Sequence, residues 1–243
     1  MNLYKVLAKA LGYELINRDG SPSLNFHIMD LIQLHEINLV LDVGGNKGQF
    51  AKSLRNEGYR GDIHSFEPVK ATFGELQQAS QADKKWFVHN FAMGDQQGQA
   101  EVNVTKSSDF ASFLKPNDYG EKRFKKNKVE YTEVVDINTV DNFLKNDIED
   151  LESKRVFLKT DTQGFDLQVV KGAEKSLPFI HCLLSEISLI PIYDDMPHYI
   201  ETLKIFEDIG FSVSGFYPIT RCKETLSVIE MDCVMVNKAI QQP

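Results

Sequence analysis

LVLDVGGNKGQF, residues 39–50, runs from an apolar strand into an aspartate and then places Gly44, Gly45 and Gly48 within five positions. The residues that follow, QFAKSLRNEGY, have helical spacing and stop at Gly58. A glycine turn between a strand and a helix marks the crevice of an open α/β sheet, where ligands bind at the carboxyl ends of strands. Downstream the alternation continues. DIHSFEP (62–68) reads as a second strand, VKATFGELQQAS (69–80) as a helix, and KWFVHNFAMG (85–94) as a third strand. RVFLKTD (155–161) and HCLLSEIS (181–188) are the fourth and fifth, each followed by a helix. FSVSGFYP (211–218) and LSVIEMDCVMVN (226–237) close the chain with a short connection, which implies an antiparallel pair.

Two segments lie outside this alternation. Before it, residues 3–16 and 26–35 have helical spacing, with Leu3, Val6, Leu7, Ala10 and Leu11 on one side and Lys5 and Lys9 on the other. The first helix is expected to pack over the fold or to make a subunit contact, so a homo-oligomer is an open expectation. Residues 1–36 thus form a helical segment ahead of a domain at 37–240. Within that domain, residues 100–150 read as an insertion with candidate strands EVNVT (101–105) and VEYTEVVDI (129–137). Its basic run KRFKKNK (122–128) reads as a solvated loop.

Composition narrows the partners. Lys and Arg number 27 against 35 Asp and Glu, a net charge of −8, which argues against nucleic acid or an anionic membrane. No continuous apolar run suggests an integral membrane segment. Cys182, Cys222 and Cys233 are odd in number and have no metal-ligand spacing, so a reducing cytoplasm is the expected location.

Three ligand classes use a glycine turn at this place. A nucleoside triphosphate site needs Gly-Lys-Ser/Thr, but Lys47 is followed by Gly48. A dinucleotide site needs G-x-G-x-x-G, and neither frame fits, whether it starts at Gly44 or at Gly45. Asp42 decides the matter: a carboxylate ahead of the turn repels a pyrophosphate and attracts the sulfonium and ammonium of S-adenosylmethionine. Glu67, at the end of the second strand, can accept both ribose hydroxyls.

With these residues in view, the sequence resembles the FkbM-type methyltransferases. LDVGGNKGQFA (41–51), SFEP (65–68), NFAMGD (90–95), LKTDTQGFDLQVVKGA (158–173), LLSEISLIPIYDD (183–195) and MDCVMVN carry the resemblance, in order, from 38 to 237. It implies a Rossmann-like, seven-stranded S-adenosylmethionine-dependent methyltransferase sheet, mostly parallel with an antiparallel last strand and flanked by helices. It further implies O-methylation, often of sugar hydroxyls in glycans, glycolipids or secondary metabolites. Gly45 departs from the alanine more usual there. Expected donor contacts are Asp42, Gly44, Gly45, Asn46, Gly48, Glu67, Pro68, Asn90, Ala92 and Asp161. The small-molecule or glycan acceptor would be chosen by the N-terminal residues and the 100–150 segment.

An alcohol is a weak nucleophile, so a base or a metal should stand near it. Asp161 and Glu186, at the ends of the fourth and fifth strands, are the candidates, and two roles compete for them. One acid could be a general base, or both could hold Mg²⁺; the metal-free role is preferred. Asp161 could alternatively cap the next helix and Glu186 could sit in an ion pair. Lys159 points the same way as Asp161 and is expected to pair with Asp42 or Glu186. His198, between Pro197 and a helix start, is a third catalytic candidate against a structural role. His64 and His89 are expected to pack in the core. Ser107, Ser108 and Ser112 could bond a sugar or be loop residues, and Trp86 and Phe87 are expected to pack.

Overall fold

The computed structural model describes residues 3–12 and 22–240. After helices α1 (Leu3–Ala10) and α2 (Leu24–Leu34), strand β1 (Leu39–Val43) enters the centre of the molecule, and all five of its residues are buried. A parallel strand covered on both faces must read as a nearly continuous apolar run, and LVLDV does so but for Asp42. Helix α3 (Gln49–Asn56), strand β2 (Asp62–Phe66), helix α4 (Lys70–Ser80) and strand β3 (Trp86–His89) follow. Then come β4 (Ala92–Met93), β5 (Gly98–Thr105), α5 (Asp118–Arg123), β6 (Val129–Asn138) and α6 (Val140–Asp147). The chain returns through β7 (Val156–Thr160), α7 (Asp166–Lys171), β8 (Ile180–Ser188), α8 (Tyr199–Asp208), β9 (Phe211–Arg221) and β10 (Val228–Asn237).

Seven strands form one sheet in the order β3-β2-β1-β7-β8-β10-β9. β1 pairs in parallel with β2 and β7, and β7 with β8, whereas β10 runs antiparallel to both β8 and β9. This is the sheet expected from the alternation, with β10 as the reversed last strand. Side chains alternate between two cores. Leu39, Leu41, Phe66, Leu158 and Leu183 pack on one face with Phe143 of α6 and Phe206 of α8. Val40, Ile63, Phe157 and Leu184 pack on the other with Ile28 and Ile32 of α2 and Leu54 of α3. Each such fully buried side chain contributes about 1.5–3 kcal/mol relative to exposure.

Three expectations need correction. The stretch 85–94 is not one strand. At Asn90 the chain turns, and the Asn90 side-chain amide donates to the carbonyls of Glu67 and Pro68. β4 is thereby taken out of the main sheet and pairs with β6 in a separate three-stranded sheet, β4-β6-β5. The first helix ends at Ala10, ahead of Gly12 at φ +80°, and the rest of the expected span, 13–16, lies outside the described residues. α6 carries helical structure that the strand-based reading of 100–150 did not anticipate; Val140, Phe143 and Leu144 sink into the main core. No helix among the described residues is long and apolar enough to cross a membrane.

Candidate active site

The glycine turn is built by backbone geometry that side chains resist. Gly44 and Gly48 sit at φ +74° and +83°, with Asn46 between them at +45°. A Cβ on Gly44 would lie 1.9 Å from the carbonyl oxygen of Asp161, and one on Gly48 would lie 2.5 Å from the Trp86 ring. Gly44 N and Gly45 N both donate to the Phe66 carbonyl, at 3.1 and 2.9 Å, which ties the turn to the end of β2.

Asp42 lies beneath this turn rather than in the open crevice. Its Oδ2 accepts the Ser65 hydroxyl at 2.7 Å, and Ser65 in turn accepts the Trp86 indole N–H at 2.9 Å. Its Oδ1 lies 3.1 Å from Lys159 Nζ, the ion pair expected from strand alternation. Lys159 also donates to the carbonyl of Gly44 at 2.8 Å and lies 3.5 Å from Asp161 Oδ2. Burial pulls the lysine pKa down, but Asp42 and then Asp161 outweigh it, and the ammonium is held more firmly than in free lysine. The turn is therefore braced from below by a buried charge pair.

Above it opens a cavity of about 370 Å³, within the range of small-molecule sites. Gly44, Gly45, Asn46, Glu67, Pro68 and Ala92 contribute to its lining. Glu67 Oε2 accepts Asn46 N at 3.1 Å and Oε1 accepts Val69 N at 2.9 Å, so the carboxylate bridges the ends of β1 and β2. Burial pushes the Glu67 carboxyl up to about 7, against the pull of those two N–H donors. The Asn46 amide donates to Asp109 at 2.8 Å, which ties the turn to the loop between β5 and α5, while its buried Oδ1 has no partner. Each Glu67 oxygen retains acceptor capacity, and the orphan Asn46 carbonyl is a further polar atom waiting for a donor. These residues fit S-adenosylmethionine, the cofactor expected from the turn.

Asp161, directly beside Gly44, and Glu186 also line the cavity, and β10 adds Glu230 and Asp232, two acids that sequence reasoning missed. Desolvation, followed by Asp161, Glu230 and Asp232 facing it, raises the Glu186 carboxyl well above the usual carboxylate range. Burial and then Asp161 push Asp232 up to about 7. A signal for the β10 pair was present: E-M-D on a strand puts both acids on one face. Gln163 joins Asp161 and Glu186, donating to them at 3.1 and 3.4 Å. Among the described residues no group of three or more His, Cys, Asp and Glu is arranged to hold a metal ion.

The remaining candidates divide between the cavity and the scaffold around it. His198 is outside the cavity lining and caps α8, its Nδ1 accepting Ile200 N at 3.4 Å. Asp161 does not cap α7, whose N-cap is Phe165. Asn90 and Gly48 are absent from the lining, one bonded beneath it and the other against Trp86. Ser108 and Ser112 line the cavity, and Ser107 bonds Asp109 beside it. His64 stacks on His89 at 5.3 Å in the aromatic core. The basic run 122–128 contributes nothing to the lining.

The methyltransferase FkbM domain profile matches residues 42–213, more than two thirds of the chain. The chain belongs to the FkbM methyltransferase domain family. The matched span of this FkbM domain takes in the glycine turn, Glu67, Asp161 and Glu186, but stops short of Glu230 and Asp232. No curated protein matches the sequence. Among solved structures, magnesium protoporphyrin IX methyltransferase from Synechocystis is similar at 11% identity, over 87% of this chain and 79% of that one, with a TM-score of 0.46. A precorrin-6y C5,15-methyltransferase from Geobacter metallireducens is similar at 10% identity, over 88% and 87%, with a TM-score of 0.48. Fibrillarin from Aeropyrum pernix, solved with bound S-adenosyl-L-methionine, is similar at 12%, over 86% and 74%, with a TM-score of 0.46. At such identities and scores these likenesses do not bear on the FkbM domain's acceptor.

Proposed function

We propose that this protein transfers a methyl group from S-adenosylmethionine to a hydroxyl oxygen on a sugar unit of a glycan, glycolipid or secondary metabolite. One observation carries the reading: Asp161 and Glu186 line the same cavity as the glycine turn, both within reach of one Gln163 amide. When bound, S-adenosylmethionine supplies a methyl group already activated by the sulfonium charge. The chain's own work is then to orient an acceptor, exclude water and take a proton from the hydroxyl. Glu186, whose carboxyl burial raises well above the usual carboxylate range, is the proton acceptor in this reading, and Asp161 orients the acceptor or donor.

The catalytic unit in this reading is residues 37–240, and the 100–150 segment helps to choose the acceptor. Phe110, Ser112 and Phe113 from that segment line the cavity, which supports the assignment. All three cysteines are unpaired, in keeping with a cytoplasmic site of action.

The test is incubation with methyl-labelled S-adenosylmethionine and a panel of monosaccharides, nucleotide sugars and extracted glycolipids, with and without Mg²⁺. Label on a sugar oxygen supports the reading. Label on nitrogen or a carboxylate would replace it with another methylation chemistry, and donor binding without transfer would mark an inert module.

A further inference from the structure

Gln163 lies in backbone that its side chain must justify. It adopts φ +53°, and Gly164 follows at +93°, so two successive residues turn in the left-handed region. A non-glycine residue is uncommon there. The turn aims the Gln163 amide into the cavity. Its Oε1 accepts the Tyr193 hydroxyl at 2.9 Å, and Tyr193 is 1% exposed. The phenol has one proton and a second acceptor within reach, the Phe110 carbonyl at 3.2 Å, so its shorter bond is to the amide. With Oε1 thus engaged, the NH₂ group must face the acids. Its two hydrogens match the two acceptors, Asp161 Oδ1 at 3.1 Å and Glu186 Oε1 at 3.4 Å. The Gln163 carbonyl is also fastened, accepting the Ser112 hydroxyl at 2.8 Å.

We infer that Gln163 is a positioning residue for the acid pair: its amide, aimed by the Tyr193 hydroxyl, sets the spacing of Asp161 and Glu186 and gives each one N–H. The inference rests on the proposed role of Glu186 as proton acceptor. Two neighbouring carboxylates repel, and neutral N–H donors placed between them favour the charged form of both. The groups facing Glu186 are Asp161, Asp166, Glu230 and Asp232, with Tyr193 as a neutral phenol and Lys159 as the nearby cation. Among them acids predominate, and Lys159 pairs with Asp42 and Asp161 at 3.1 and 3.5 Å, whereas the Gln163 amide is the donor that bonds both Asp161 and Glu186.

The test uses the ligand-free protein with carboxyl-¹³C glutamate, in which the Glu186 resonance is assigned by its loss in Glu186→Gln. Gln163→Gly removes the amide yet suits the left-handed backbone, so the variant should fold with an unreduced melting temperature. The Glu186 midpoint should rise by about one pH unit in Gln163→Gly and by less in Tyr193→Phe, where the amide remains but is no longer aimed. A folded Gln163→Gly with an unmoved midpoint overturns the inference. The two readings separate cleanly. A moved midpoint without label transfer keeps the positioning role and removes the methyl-transfer reading, and the reverse result does the opposite.

Discussion

Lys159 Nζ stands 3.1 Å from Asp42 Oδ1, with both side chains shut off from solvent beneath the glycine turn. The pair explains why an aspartate precedes the turn. Asp42 anchors the lysine, and the lysine in turn holds the carbonyls of Val43 and Gly44, at 3.3 and 2.8 Å. Removing one partner leaves the other charged and buried, which is costlier than never having the pair. Lys159→Met should therefore destabilise the fold by about 3–5 kcal/mol, read as a lowered urea midpoint at unchanged slope. An unaltered midpoint would mean that the pair is dispensable to the turn.

With S-adenosylmethionine held by Glu67 as proposed, donor binding should depend on pH. The Glu67 carboxyl is pushed up to about 7, chiefly by burial, so it is protonated below that pH and charged above it. Ribose hydroxyls are accepted best by the charged form. Calorimetric affinity for S-adenosylmethionine should rise between pH 6 and pH 8 by up to about tenfold. Glu67→Gln should flatten the profile, and Glu67→Ala should weaken binding by about tenfold or more. A sloping profile in Glu67→Gln would assign the dependence to another group.

The two adjacent glycines of the turn should respond differently. Gly44 combines φ +74° with a Cβ position 1.9 Å from backbone oxygen, so Gly44→Ala must move β7 or unfold the turn. Gly45 has no positive φ, and its Cβ would approach the Ser65 Cβ to 2.9 Å. Gly45→Ala, whose methyl would meet a Cβ fixed to β2, should cost about 1–3 kcal/mol, whereas Gly44→Ala should cost more than that and abolish donor binding. Thermal melts and calorimetry of the two variants decide it.

The turn was legible because its chemistry is local: strand, acid, glycines and helix are consecutive in the chain, and Glu67 follows at the next strand end. Lys159 and Asp161 were legible for a similar reason, since strand alternation places them on one face. Gln163 was not. Its role depends on Tyr193, thirty residues away, and on a backbone turn that no spacing announces. Glu230 and Asp232 were hidden because β10 reads as a closing core strand; only its place beside β8 turns the alternating acids toward the cavity. The break at Asn90 was missed because apolar residues continue through it, while the cause is a side-chain amide bonding the neighbouring loop.

Glu186 and His198 offer opposed outcomes for the identity of the proton acceptor. Glu186 lines the cavity beside Asp161, while His198 is outside the lining and spends Nδ1 on the first turn of α8. Geometry precedes basicity in choosing a general base, so Glu186→Gln should lower turnover by about 10²–10⁴ with little change in donor affinity. His198→Ala should cost about 1 kcal/mol of stability, as the loss of a helix cap does, and leave turnover near wild type. Turnover is measured by label transfer to the acceptor identified from the panel, alongside thermal melts of both variants. If His198→Ala lost turnover while Glu186→Gln kept it, the α8 loop would have to close over the acceptor, and the base would be assigned to the histidine.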